Sequence, residues 1–291
     1  MQRYINCEFI DSDGRKQSEP AYFVENSIKS GSQITYRLNG IIAKGGNSAV
    51  FRCYHAQTNK MFAVKFLRVV DKVRRERFDF ERLLLTDLEH PNVLSLCDAG
   101  VVEMTYRYPI PFIVTEFFST GIERRINQKE LFSIDEIKHY GKQICEAFTY
   151  LHAQGIVHRD IKPGNFLIEG DRIVISDLGL AKTYTDEGFE RFYRGDITDI
   201  GEKIGSAPWM SPELFKYARE KSTHVDHRSD LFQIGKVLWF MHTGCETGTP
   251  DPDVDKSGGG LCALVMKATH MTQDKRFQSA LEMLEALNNI N

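Results

Sequence analysis

Two short stretches of this 291-residue chain carry the residue types that phosphate chemistry needs. Ile156-Val-His-Arg-Asp-Ile-Lys-Pro-Gly-Asn-Phe-Leu-Ile168 sets a carboxylate (Asp160), an ammonium (Lys162) and an amide (Asn165) on one loop between apolar runs. Ile175-Ser-Asp-Leu-Gly179 adds a second carboxylate, Asp177, at the end of a strand-like run. Phosphoryl transfer uses such a set: a carboxylate to orient a hydroxyl nucleophile, oxygen ligands for Mg²⁺, and a cation beside the moving charge.

These groups need rigid elements behind them, and the flanking pattern supplies candidates. Ser133-Ile-Asp-Glu136 reads as an N-cap with a carboxylate three positions on. Ile134, Ile137, Tyr140, Ile144, Phe148 and Leu151 then form one apolar stripe of a helix ending near Gln154-Gly155. That helix delivers the loop. Phe166 to Ile168 and Arg172 to Ile175 are short β runs joined by the turn Glu169-Gly-Asp171, a hairpin that holds Asn165 and Asp177 close although they are twelve residues apart.

Upstream, residues 34–65 read as strand, Gly-bearing turn, strand, turn, strand, with Lys65 inward on the third. A buried ammonium needs a counter-charge. Residues 72–88, with Phe78, Leu84, Leu85 and Leu88 at helical spacing, offer Glu76 and Glu81. Pro91 to Val101 reads as a strand, and Val102 to Tyr108 with Phe112 to Phe118 as a hairpin pair. Residues 1–33 hold two apolar patches, Tyr4 to Ile10 and Ala21 to Val24, around a polar turn over Asp11 to Pro20. They suggest a hairpin or extended arm packed on the strands after it.

His158-Arg-Asp-Ile-Lys-Pro-Gly-Asn165 matches the protein-kinase catalytic-loop pattern, and Asp177-Leu-Gly179 resembles its metal-binding triplet with Leu178 for Phe. Phe62-Ala-Val-Lys65 falls where that pattern puts its strand lysine, and Glu81 lies nine residues before His90-Pro-Asn92, as the helix glutamate does there. Gly205-Ser-Ala-Pro-Trp-Met-Ser-Pro-Glu213 resembles the A-P-E segment end, with Ser211 for Ala. Over about residues 34–291 the chain therefore resembles the eukaryotic-type (Hanks-type) Ser/Thr protein kinases.

The resemblance implies a two-lobed α+β fold: an N-terminal extension (1–33), a small β-rich lobe with one helix (34–116), and a larger, mainly helical lobe (117–291). It implies Asp160, Lys162, Lys65 and Glu81 as catalytic residues, the last two as an ion pair, Asn165 and Asp177 as ligands of Mg²⁺ (or Mn²⁺), and ATP as cosubstrate. The nucleotide would be bound by Ile42, Ala43, Gly45, Gly46, Ser48, Val50, Ala63, Lys65, Thr115, Glu116, Phe118 and Leu167. Only the middle glycine of G-x-G-x-x-G is kept, as Gly45 with Gly46 beside it. Asp230 and Arg276 fall where the family holds the catalytic loop and pairs the A-P-E glutamate, and His158 is a packing residue. Residues 244–260, short and rich in Gly, Pro and Asp, imply a C-terminal lobe trimmed after the Asp230 helix.

Residues 177–213 correspond to the activation segment, which Arg159 implies is regulated by a phosphate or a substitute acid. Thr183, Tyr184, Thr185, Tyr193 and Thr198 are candidate phosphosites, Thr198 first by position, among Asp196, Asp199 and Glu202. Arg68, Lys72, Arg74, Arg75, Arg77 and Arg82 read as a solvated basic face, or more sharply as a receptor for a phosphorylated loop.

A net charge of −3 gives no sign of a nucleic-acid partner, and no apolar run is long enough to span a bilayer. Six scattered cysteines without C-x-x-C pairing point to buried thiols in a reducing, cytoplasmic setting. His224-Val-Asp-His227, without companion ligands, reads as a solvated loop. The expected partner is a protein substrate bearing Ser or Thr, with oligomeric state not legible. Lys162 two residues after Asp160 is the Ser/Thr-type residue. Two alternatives stand beside that reading: a small-molecule kinase, against which the S-P-E-like end argues, and a pseudokinase scaffold, which the poor Gly turn keeps open.

Overall fold

The computed structural model describes residues 4–10, 16–22, 26–102, 109–183, 206–220 and 223–290. The chain divides into two compact units, Met1–Glu89 with Leu94–Phe118, and His90–Val93 with Ser119–Asn291.

The first unit is built on β-strands whose side chains alternate between faces. Strands β1 (Tyr4–Ile10), β2 (Lys16–Tyr22), β3 (Ser27–Lys29), β4 (Thr35–Lys44), β5 (Ser48–His55), β6 (Met61–Leu67) and β7 (Val69–Val70) precede helix α1 (Lys72–Asp87). Strands β8 (Leu96–Val102) and β9 (Ile110–Glu116) come after it. A six-stranded sheet runs in the order β3-β4-β5-β6-β9-β8, every neighbouring pair antiparallel. Tyr36, Leu38, Phe51, Cys53, Val64, Phe66, Phe112 and Val114 form its buried cluster, with Phe51 and Phe66 edge to face at 5.7 Å. Asp71 caps α1 by accepting the Arg74 N–H at 2.8 Å, and the helix buries Phe78, Phe80, Glu81, Leu84 and Leu85.

Two segments differ from the sequence expectation. The hairpin at the end of this unit is β8–β9, so its first strand starts at Leu96; the expected partner, residues 103–108, lies outside the described residues. In the N-terminal extension, β2 begins at Lys16, inside the stretch read as a turn, and pairs with β1 from Ile10↔Lys16 to Tyr4↔Tyr22. Pro20 fits because β2 is the outer strand of a sheet ordered β2-β1-β7, where a missing N–H leaves no ladder bond unmade. Strand β1 sends Ile5 and Cys7 into the same buried cluster as Phe51 and Phe66. Burial pushes the Cys7 thiol up to about 12, so it is a packing residue. Four cysteines are buried as expected, whereas Cys97 and Cys245 are exposed.

The second unit contains β10 (Thr120–Gly121), α2 (Ile122–Asn127), α3 (Ile134–Ala153), β11 (Ile156–Val157), β12 (Phe166–Glu169), β13 (Arg172–Ile175) and β14 (Lys182–Thr183). Helices α4 (Pro212–Glu220), α5 (His227–Thr243), α6 (Gly260–Ala268) and α7 (Ala280–Asn288) complete it. A reciprocal Ser133–Glu136 capping box opens α3, and its buried face is Ile137, Tyr140, Ile144, Phe148 and Leu151. Gly141 permits close approach to α7, since a Cβ there would lie 2.7 Å from Leu287. Helix α5 is apolar on nearly every face and buried almost throughout, as a central helix should be. Gly244, at φ +70°, ends it. No helix lies between α5 and α6; there Asp255 accepts the Ser257 and Cys262 N–H groups at 2.8 and 2.7 Å.

Candidate active site

In the first unit, sheet register gathers the side chains expected at the nucleotide. Ala43 pairs with Val50, Val50 with Lys65, and Ala63 with Thr115. Paired residues share a face, and Ala63 and Lys65 are two apart, so all five point to one side, opposite the aromatic cluster. Lys65 Nζ donates to both carboxylate oxygens of Glu81, at 2.7 and 2.8 Å. The Glu81 side chain is 4% exposed and that of Lys65 19%, so the pair is largely desolvated, and α1 supplies the expected counter-charge. Ile42 and Ala43 are exposed at the end of β4, Gly45 and Gly46 form the turn to Ser48, and Glu116 and Phe118 close the unit. The Gly45 N–H bonds the Ser48 carbonyl at 2.9 Å.

In the second unit the catalytic-loop candidates hang from α5. Asp230, at 0% exposure, accepts the backbone N–H groups of His158 at 2.9 Å and Arg159 at 3.0 Å, and lies 3.0 Å from His152 Nε2. Gln233, one turn on, accepts the Ile161 N–H at 3.3 Å. Arg159 sits at φ +70°, a region costly for a side-chain-bearing residue and kept here by these bonds. His158 packs near Phe148, ring centroids 6.1 Å apart, the structural part expected of it.

Asp160 takes Lys162 Nζ on one oxygen at 2.6 Å and the Ser206 N–H on the other at 3.1 Å. Burial raises its pKa above the ordinary carboxylate value; Lys162 opposes this and the Asp177 charge adds to it. Asn165 donates Nδ2 to the Asp160 carbonyl at 2.7 Å, which leaves Oδ1 as the end of the amide available to a cation. Ser176 N–H and Oγ both donate to the Asn165 carbonyl, at 2.8 and 3.0 Å, so the β12–β13 hairpin joins the two expected metal ligands through the residue before Asp177. Asp177 is at φ +64°. A carboxylate and an amide oxygen suit Mg²⁺, which usually takes one or two protein oxygens and completes its shell with water and substrate phosphates. Leu167 is half-buried on β12, and Leu178 is fully buried.

Around this loop, Glu213 and Arg276 form a fully buried bidentate pair at 2.7 and 2.8 Å. The remaining Arg276 donors go to the carbonyls of His270, Met271 and Arg228. Burial alone would raise the Glu213 pKa; the guanidinium more than offsets that and holds it below the usual carboxylate value. Arg159 is 2% exposed, its guanidinium 5.0 Å from the Tyr217 ring, and its Nε and Nη2 have no hydrogen-bond partner among the described residues. Thr183 lies on β14; Tyr184, Thr185, Tyr193 and Thr198, with Asp196, Asp199 and Glu202, lie outside the described residues.

Several contributors escaped the sequence reading. Asn92 donates to Gln143 at 2.6 Å and to the Ile173 carbonyl at 2.7 Å, and accepts the Ile175 N–H at 2.9 Å, steadying the hairpin before Asp177. Its signal in the sequence is His90-Pro-Asn92. Ser211 shares a hydrogen bond with Ser229 at 2.7 Å and accepts the Leu214 N–H at 3.3 Å, a use for the hydroxyl that replaces Ala. Arg68 does not join the solvated basic face; it is buried against backbone carbonyls. His224 is exposed, and His227 Nε2 contacts the Gln278 carbonyl at 2.8 Å.

The chain is 28% identical over 278 residues to a probable serine/threonine-protein kinase of Clostridium perfringens, covering 88% of this chain and 38% of that protein. It is 29% identical over 273 residues to the serine/threonine-protein kinase PknB of Mycobacterium tuberculosis, covering 85% and 41%. With pkn3 of Myxococcus xanthus, also a serine/threonine-protein kinase, identity is 29% over 261 residues, covering 86% and 45%. The chain thus spans less than half the length of these relatives. The protein kinase domain model matches residues 36–286, from β4 to α7, and the chain belongs to that family.

Proposed function

We propose that this protein is an ATP-dependent protein kinase that transfers the γ-phosphate to serine or threonine hydroxyls of protein substrates, with Mg²⁺ (or Mn²⁺) as the divalent ion. The observation that carries the reading is the loop suspended from Asp230: it presents Asp160, Lys162 and Asn165 together, two of them joined at 2.6 Å. Asp160 orients the substrate hydroxyl and accepts its proton as the oxygen bonds to the γ-phosphorus. The bond from that phosphorus to the bridging oxygen breaks, and ADP leaves. Lys162 steadies charge on the transferred group; Lys65, fixed by Glu81, serves the nucleotide phosphates. When bound at Asn165 and Asp177, the metal supplies charge neutralisation for the phosphates.

Substrate choice of the Ser/Thr type is supported by Lys162 and by the names of the relatives. We assign control to the segment 177–213 through Arg159, whose buried guanidinium keeps two nitrogens without partners among the described residues. We place the domain in the cytoplasm on the strength of its unpaired cysteines; among the described residues no helix is long and apolar enough to cross a membrane.

The test is incubation with labelled ATP and a generic protein substrate, beside Asp160→Asn and Lys65→Met. Label on Ser and Thr with the wild type only is expected. Equal labelling by wild type and Asp160→Asn would sink the assignment.

A further inference from the structure

Arg68, between β6 and β7, is 8% exposed, and its side-chain hydrogen bonds run to main chain. Nη1 donates to the Gly45 carbonyl at 3.1 Å and reaches that of Gly46 at 3.5 Å, while Nε donates to the Asn6 carbonyl of β1 at 3.1 Å. The backbone repeats the connection. The N–H groups of Arg68 and Val69 donate to the Asn47 carbonyl at 2.7 and 3.3 Å, and the Glu8 N–H donates to the Arg68 carbonyl at 2.7 Å. From α1, Arg74 Nε donates to Asn47 Oδ1 at 3.0 Å. Three consecutive residues of the turn after β4 are therefore tied to the crossover three residues beyond Lys65, and that crossover is paired with β1.

Such ties matter at this turn. Gly45, Gly46 and Asn47 are exposed, and two adjacent glycines leave the main chain many conformations to lose. In a trans peptide the C=O and the following N–H point in opposite directions. Carbonyls of Gly45 and Gly46 drawn onto Arg68 therefore turn the N–H groups of Gly46 and Asn47 the other way, the orientation an anionic phosphate requires. A planar guanidinium can serve several carbonyls at fixed angles, which an ammonium does less well.

We propose that Arg68 is a positioning residue for the nucleotide: it sets the peptide orientation of the turn 45–47, and hairpin β1–β2 anchors it through Asn6. The device orders by cross-linking a turn in which only Gly45 of the family's glycine pattern is kept, with Gly46 beside it. It rests on the reading of this turn as the phosphate cover.

The experiment uses the full chain, with Arg68→Lys, the neutral Arg68→Gln, and Lys267→Met as a surface control whose contact, to Glu282, lies in the second unit. The Kd of MgATP is measured by calorimetry, KM for ATP and kcat by phosphorylation of a generic substrate, and amide exchange by mass spectrometry. Loss of the planar fork of donors in both Arg68 variants, and of its charge as well in Arg68→Gln, is expected to raise Kd and KM for ATP about three- to tenfold, with kcat within about twofold. Exchange at residues 45–48 is expected to quicken, and Lys267→Met to behave as wild type. Arg68 variants that melt earlier but keep the wild-type Kd and KM for ATP would reduce Arg68 to structural glue and overturn the proposal. If neither variant folds, wild-type exchange decides: MgATP must protect the Gly46 and Asn47 amides, and no protection there overturns it. A wild type that binds MgATP yet labels no protein ends the kinase reading while leaving this comparison of Kd standing; one that binds no MgATP ends both.

Discussion

Asp230 accepts the Arg159 N–H through Oδ1 and the His158 N–H through Oδ2, so one fully buried carboxylate holds the two residues that precede Asp160. Because Arg159 stands at φ +70°, the loop at rest would leave this geometry without those bonds. Asp230→Asn turns one acceptor into a donor facing an N–H. We expect kcat to fall at least about tenfold, the equivalent of about 1.4 kcal/mol, with KM for ATP nearly unchanged. Steady-state kinetics on the folded variant check this; an unaltered kcat would mean the loop holds itself.

The Lys65–Glu81 pair is the corresponding test in the other unit. Removing the carboxylate charge leaves a mostly buried ammonium with a weaker partner. Glu81→Gln is expected to lower kcat/KM for ATP by about ten- to a hundredfold, from the loss of about 1.5–3 kcal/mol of charge-assisted bonding. Comparable kcat/KM values for Glu81→Gln and wild type would show that Lys65 needs no carboxylate to be placed.

Glu213 and Arg276 make a pH prediction. The folded-state pKa of Glu213 is depressed, so the stability it contributes is complete above the ordinary carboxylate pKa and is lost as pH falls through the folded value. Below about pH 5 the melting temperature should therefore drop, and drop less steeply in Glu213→Gln, which no longer titrates there. At neutral pH the same variant should be less stable by about 3–5 kcal/mol, because Arg276 is left buried without its counter-charge. Parallel melting curves from pH 7 to 4 for both proteins would contradict the assignment.

Ser211→Ala restores the residue usual at this position in the family and removes both hydroxyl bonds, to Ser229 and to the Leu214 N–H. A cost of about 1–2 kcal/mol is expected in denaturant unfolding, with KM for ATP unchanged. A neutral or stabilising result would make the hydroxyl incidental.

The parts legible in the chain were those whose signal is local or periodic. Asp160, Lys162 and Asn165 lie within six residues, Ser133 and Glu136 cap α3 from three residues apart, and strand alternation alone turns Lys65 away from Phe66. What was not legible depends on partners distant in sequence. Helix α2 has only six residues and two buried ones, Ile122 and Ile126, too few for a periodic stripe. Arg68 reads as a surface cation because nothing in its neighbourhood announces that Asn6 and Gly45 offer it carbonyls. Gln143 and Ser229 look like ordinary helix residues until Asn92 and Ser211 meet them. Lys16 to Pro20 reads as a turn because the polar composition carries no sign of the pairing that β1 imposes.

The alternation of β1 has a consequence for how the amino-terminal region tolerates change. Ile5 and Cys7 are buried while Asn6 between them is exposed, and the strand is fastened on both edges, to β2 and to β7. Outward substitutions at Asn6 should therefore pass with little effect, its tie to Arg68 being made by main chain. A single inserted or deleted residue is another matter: slipping the register by one would place Asn6 and Glu8 where Ile5 and Cys7 now pack, and would carry the mismatch to the crossover that steadies the Gly45–Gly46 turn.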